Sequence, residues 1–258
     1  MPFTPSHAVV ALPFVRTPLV PAAVAVGAMA PDLPLFVRGT GLSYALTHDL
    51  RWLPVTVVVA LGLLVLWRAV LRPAARELAP RWMSARLPAE WDAGARQGVR
   101  ETFAGGRGRI AALAVSVLIG VVSHVVWDLF THEGRAGVRL LPALALEWGG
   151  QPLYGWLQDA SSLLGLAILA VFGALWLGRR REGDVVRLMP DAVRWAWWLS
   201  LPAVLVVALI GGYLAAGPFH AGFGPAHLAY LVLPPACALW AAFSIVLALA
   251  VQLRRTRG

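Results

Sequence analysis

The sequence predicts an all-α fold: a polytopic transmembrane helical bundle of about five full spans plus a short N-terminal helical hairpin, forming a single integral membrane domain over residues 1–258. Three observations carry that expectation. Hydrophobic residues make up 59% of the chain and charged ones 14%, with a mean hydropathy of +0.71, too little polar surface for a soluble domain of this length. Apolar runs recur at 52–71, 110–130, 160–178, 195–213 and 228–253, each near the roughly 20 residues that a bilayer-spanning helix needs. All 22 basic residues are arginine, and they crowd into alternate loops.

Residues 1–51 form the N-terminal hairpin and site segment. Its apolar stretches, 5–14 and 18–30, are short and broken by Pro13, Pro18 and Pro21, which favours two brief helices over one span. Thr4 or Ser6 is a cap for the first, and Pro31 stops the second. In an antiparallel hairpin His7 meets Asp32 at one end. A single tilted span over 17–36 is the alternative, and it would separate them across the bilayer. No basic segment precedes a cleavable apolar core, so no signal peptide is expected to be removed.

The loops between spans set the sidedness. Eight arginines fall between 72 and 109, five between 179 and 194 and three after 253, whereas 131–159 holds two and 216–227 none. Arginine-rich loops stay inside. The expectation is therefore a multi-pass protein of the cell membrane with a cytoplasmic C-terminus, and with Thr131 and His132 at the outer side. The 72–109 cytoplasmic loop reads as amphipathic or irregular, with Arg81, Trp82 and Arg86 resting on the membrane surface. Because the arginines are scattered between apolar spans and not interleaved with aromatics on a soluble face, no nucleic-acid partner is expected; membrane lipid is. Trp52, Trp67, Trp127, Trp148, Trp195, Trp197 and Trp198 lie mostly near span ends, the place of an interfacial belt. Cys237 is the only cysteine, a packed thiol by expectation, so no intrachain disulfide or cysteine-based zinc knuckle can form.

One run breaks the apolar pattern. The stretch SHVVWDLFTH carries His124, Asp128 and His132 at four-residue intervals. On a helix each such step advances about 6 Å and drifts about 40° around the axis. His124 and Asp128 can thus chelate one ion, as histidines at i and i+4 hold zinc, while His132, about 12 Å from His124, joins only if the helix ends first. Ionisable residues inside a span are costly and by default face a bundle interior or an aqueous cavity. His7, Asp32 and His48 precede this pair; the charge-derived topology puts His48 at the same outer end, and the hairpin model adds His7 and Asp32. Asp49, beside His48, is a ligand, an orienter of that imidazole or a surface carboxylate. His220 and His227 flank an uncharged outer loop and read as ordinary surface residues.

These segments also look familiar. MPFTPSHA, MAPDLPLF, LTHDL and SHVVWDLFTHEG resemble, over essentially the whole chain, the bacterial integral-membrane family known as domain of unknown function 4184, which has no established activity. More distantly, the chain is similar to the membrane-bound metal-dependent hydrolases, and more loosely to zinc-dependent phospholipase C, through a His, a Pro-Asp, a Thr-His and a His/Asp helix. Carried over, the resemblance implies His7, Asp32, His48, His124 and Asp128 as ligands of a divalent metal, with zinc among the candidates. The chain departs from the hydrolase pattern at Leu33, Pro34 and Leu35 after the Pro-Asp, at Ser43, and at Asp49, which puts a full two-metal site in doubt.

The functional expectation is a metal-dependent hydrolase-like protein acting on an ester or phosphoester, on a lipid or envelope-linked substrate at the outer interface. His48 or Asp49 then serves as general base or orients the nucleophile. The competing class is a non-catalytic membrane protein whose cluster is a structural metal clip or polar network. A transporter is less attractive, because no paired broken helices or matching halves occur.

Overall fold

The computed structural model describes residues 4–256; Met1, Pro2 and Phe3 of the opening motif, and Arg257 and Gly258, lie outside the described residues. A 3-10 helix at Thr4–Phe14 leads into α1 (Pro21–Met29), a 3-10 turn at Ala30–Asp32, α2 (Leu33–Phe36), α3 (Tyr44–Thr47) and α4 (Leu53–Leu66). A π turn at Trp67–Leu71 joins α5 (Arg72–Leu78), followed by α6 (Arg81–Ser84), α7 (Gly94–Phe103), α8 (Gly106–Thr131) and α9 (Ala136–Leu140). A two-residue antiparallel ladder, β1 (Glu147–Trp148) with β2 (Gln151–Pro152), precedes α10 (Leu153–Gly178), α11 (Asp191–Ala216) and α12 (Pro225–Arg255).

Among the described residues, five helices are long and apolar enough to cross a membrane: Leu50–Leu78, Gly106–Thr131, Leu153–Gly178, Asp191–Ala216 and Pro225–Arg255. Each contains one of the apolar runs read from the sequence. The 26-residue helices extend about 39 Å, more than the roughly 30 Å hydrocarbon core. Their surfaces agree with that solvent. α11 buries none of its residues and exposes Leu199, Val206, Val207, Ile210 and Leu214, an apolar face that lipid accepts and water does not.

The chain packs as two compact units. The first comprises Met1–Leu33, Ser43–Val65 and Arg100–Arg179. Its core is small: Ala23, Ala30 and Ala60 meet Leu64, Leu113, Val117 and Val121. Small side chains let backbones approach, the usual means of joining helices where lipid supplies no hydrophobic drive. Gly27 of α1 and Gly120 of α8 approach closely: an added Cβ would lie 2.5 Å from the Val117 carbonyl or 2.2 Å from the Val24 carbonyl, respectively. The N-terminal segment is a hairpin, with the 3-10 helix and α1 as its two short arms.

The second unit comprises Pro34–Leu42, Leu66–Val99 and Arg180–Gly258. Here the structure departs from the expected surface loop. The helix entered at Leu50 continues through the π turn to Leu78, and Arg76 and Glu77 are only 4% and 1% exposed. The reason is pairing that no local pattern announces. The Glu77 carboxylate accepts the amides of Leu188 (3.0 Å) and Met189 (3.1 Å) and the Arg194 guanidinium (2.8 Å), while Arg76 donates to Asp92, to the Ser84 carbonyl (3.3 Å) and to the Asp184 carbonyl (2.8 Å). Glu77→Ala takes from the Arg194 guanidinium its buried counter-charge and leaves two amides unpaired, so a loss of about 3–5 kcal/mol is expected, against a smaller loss for Glu77→Gln. Unfolding in detergent checks this; equal midpoints for Glu77→Ala and the parent would refute it. Trp197 turns toward α12, donating to Ser244 (2.9 Å). His220, in a tight turn with Phe223, and His227 are exposed, and Cys237 is half-buried.

Candidate metal centre

The first unit gathers the polar residues of four segments. The hairpin contributes His7 from its first arm and Asp32 from the turn after α1; His48 caps the C-terminus of α3; His124 and Asp128 lie one turn apart on α8. Their ligand atoms form two triads, His7–Asp32–His124 and His48–His124–Asp128, each with its atoms within 4.8 Å of one another. All five residues are buried. Hence the structure brings these five together, without Asp49, and His124 belongs to both groups.

The imidazole orientations are fixed from behind. His124 Nδ1 lies 2.6 Å from the Ala28 carbonyl and His48 Nδ1 lies 2.9 Å from the Tyr44 carbonyl. A carbonyl only accepts, so each Nδ1 carries the hydrogen and each Nε2 is left to offer a lone pair. Those two Nε2 atoms face one another at 3.2 Å, and Asp128 Oδ2 lies 3.2 Å from one and 3.5 Å from the other. Two lone pairs and a carboxylate so placed require a positive charge between them, either a proton or a cation. A backbone carbonyl behind each ring is also the arrangement that orients metal-bound histidines.

The carboxylates and the remaining imidazoles complete the set. Asp32 Oδ2 accepts from Thr4 Oγ1 (2.6 Å), leaving Oδ1 at 3.6 Å from His124 Nε2. Asp128 Oδ2 accepts from the Tyr44 hydroxyl (2.9 Å). Among the described residues, His7 Nε2, Asp128 Oδ1 and His132 Nε2 are buried with no hydrogen-bond partner. Buried polar atoms are ordinarily satisfied, so three orphans in one cluster fit a donor set made for a ligand. A set of imidazole nitrogens and carboxylate oxygens suits zinc, manganese or iron.

Comparison with known proteins places the chain at the level of the family. The family model described as "Domain of unknown function (DUF4184)" matches residues 1–251. The chain belongs to that family. No curated protein and no solved structure matches it.

Three contributors, Thr4, Thr47 and Tyr44, escaped the sequence reading as parts of the site, and His132, which the sequence admits only if the helix ends before it, joins them. His132 enters because α8 stops at Thr131: the next residue is extended, and His132 Nδ1 comes within 3.7 Å of Asp128 Oδ1. Burial holds its imidazole below the ordinary range and therefore neutral. Thr47 ties two segments together by donating to the Pro31 carbonyl (2.7 Å), and Thr4, read as a cap, turns to Asp32 instead. Tyr44 sits four residues before His48, a helical spacing that put it on the same face. By contrast, the half-buried Asp49 spends its carboxylate on its own turn, accepting from the Arg51 amide (2.9 Å).

Burial first, and then Asp128, push the Tyr44 phenol above its ordinary range, so it remains a donor at any working pH. Its ring stacks on His48 (centroids 3.7 Å apart) and lies beneath the Arg135 guanidinium (5.8 Å). Tyr44→Phe keeps both ring contacts and removes only the hydroxyl. The expected outcome is a roughly tenfold weaker metal affinity, the low end for an orienting partner, with an unchanged fold. Chelator competition measures it, and unaltered affinity would mean that Tyr44 does not hold Asp128.

Proposed function

We propose that this multi-pass membrane protein holds a divalent metal at the His/Asp cluster and hydrolyses an ester or phosphoester of a membrane lipid. The observation that carries the reading is the pair of Nε2 atoms of His48 and His124, turned on one another at 3.2 Å over Asp128 with their other nitrogens tied to carbonyls. A metal bound there supplies a Lewis acid and lowers the pKa of a coordinated water. His7, Asp32, His48, His124 and Asp128 would hold it. His48, assigned from sequence with Asp49 to the role of general base, would have its Nε2 on the metal, which leaves Asp49 and His132, whose Nε2 has no hydrogen-bond partner, as contenders to accept the proton. The positive-inside distribution of arginine puts this end of α8 at the outer side.

A lipid is favoured over a soluble metabolite by the cavity beside the cluster. It has about 360 Å³, carries His7 on its wall, and is otherwise lined mainly by apolar groups of the hairpin, α8 and α10, among them Val10, Trp127, Leu164 and Ile168. An acyl chain fits such a wall. The test is turnover of short-chain ester and phosphodiester lipids in mixed micelles by zinc- or manganese-loaded protein, with and without chelator, beside His124→Ala. Chelator-sensitive turnover lost in the variant supports the reading. Stoichiometric metal without turnover on either class would replace it with a second: the burial of His124 and Asp128, and the ties Thr4 to Asp32 and Thr47 to Pro31, suit a metal clip that pins the hairpin to α8.

A further inference from the structure

The second unit contains a cavity of about 500 Å³ that the cluster chemistry does not use, lined by Arg81, Arg187 and Arg194 together with Asp191, Trp195 and Trp198. Two of its arginines are built in place. Arg187 donates to the carbonyls of Arg76 (2.9 Å), Glu77 and Ala79 (3.0 Å), closing the C-terminal turn of α5. Arg194 donates to Glu77 (2.8 Å), to the Met189 carbonyl (2.6 Å) and to Asp191. Arg81 stands exposed at the rim. Against these three cations stand Asp191, largely exposed, and Glu77, whose side chain is fully buried and occupied by two amides and Arg194. Burial and then the neighbouring Arg194 hold the Arg187 guanidinium below its ordinary range, with Arg81 adding to the effect. The wall is thus short of negative charge.

Its depth identifies what could supply that charge. Leu78 is the last residue of one membrane-length helix and Asp191 the first of another. Trp195 and Trp198 follow within the first turns of α11, 69% and 44% exposed, and Trp198 donates to the Leu78 carbonyl (2.9 Å). Tryptophans at the end of a span mark the level of lipid headgroups. Beyond them Leu199 continues the exposed apolar face of α11, where acyl chains would run. We propose that this cavity binds the phosphate of an anionic phospholipid headgroup, held by Arg81, Arg187 and Arg194 and flanked by Trp195. Two preorganised guanidinium groups and an exposed one suit a phosphate, because the fixed pair loses little rotamer freedom on binding.

Native mass spectrometry of the full-length protein in detergent, titrated with phosphatidylglycerol or phosphatidylcholine, tests the assignment. The parent is expected to retain phosphatidylglycerol several-fold more tightly, and Arg81→Gln to weaken it about fivefold, the effect of one arginine at a membrane surface. Arg254→Gln, an exposed arginine in the last turn of α12, is expected to change nothing. Equal retention of the two lipids by the parent overturns the proposal without recourse to any variant. So does equal weakening by Arg81→Gln and Arg254→Gln. Displacement of phosphatidylglycerol by inorganic phosphate at matching concentration would assign the site to a soluble anion and overturn the lipid.

Discussion

Replacing His124 with alanine is expected to strip the purified protein of divalent metal, with an affinity loss of more than about a hundredfold, beyond the range seen when only orienting groups are removed. The size of the effect follows from the position of the residue. His124 belongs to both triads, and its Nε2 lies within 3.2–3.6 Å of His48 Nε2, Asp128 Oδ2 and Asp32 Oδ1. His7 belongs to one triad only, so His7→Ala is expected to lose less. Proton competition adds a sign: imidazole must be neutral to ligate, so retention falls as the pH is lowered. Elemental analysis of the detergent-purified parent, His7→Ala and His124→Ala proteins, after zinc reconstitution, reads this directly. Stoichiometric metal in the parent and none in His124→Ala is the expected pair of results. Metal retained equally by all three would place it elsewhere, and no metal in any would leave the facing nitrogens sharing a proton.

The membrane architecture was legible because lipid imposes a coarse rule, about 20 apolar residues per span, that composition alone can meet or miss. Where the elements end was less legible. The run at 52–71 reads as one span ending in arginines, yet the helix continues to Leu78 because the buried Arg76 and Glu77 find partners in residues more than a hundred positions away and in Asp92. Such pairing is tertiary and leaves no local period. The site shows the same division. His124 and Asp128 announce themselves by spacing, and a hairpin broken by prolines suffices to bring His7 to Asp32. His132 depended on a helix end, since only an extended residue after Thr131 returns it to Asp128. Tyr44 and Thr47 lie in a single helical turn whose packing could not be read from four residues.

The second large effect is expected at a residue with no polar atom in its side chain. Gly120 lies one turn before His124, against α1. A Cβ added there would stand 2.2 Å from the Val24 carbonyl oxygen, 2.7 Å from the Ala28 amide and 2.9 Å from Gly27. These are backbone atoms of a packed helix and cannot swing aside as a side chain can, so α1 itself must withdraw. Withdrawal takes the Ala28 carbonyl away from His124 Nδ1, now 2.6 Å apart, and carries Asp32 away from the same ring. Gly120→Ala is therefore expected to weaken both the fold and metal retention, and Gly120→Leu to cost more than about 3 kcal/mol and to abolish the bound metal. Gly173→Ala on α10 provides the contrast, since nothing lies within 4 Å of its added Cβ. That substitution should be neutral, or stabilising by up to about 1 kcal/mol through a stiffer unfolded chain and a better helix former. Thermal unfolding in detergent and metal content, measured side by side, separate the two glycines. Were Gly120→Ala to melt and bind like Gly173→Ala, the close contact of α1 with α8 would not be what holds His124 in register with the hairpin.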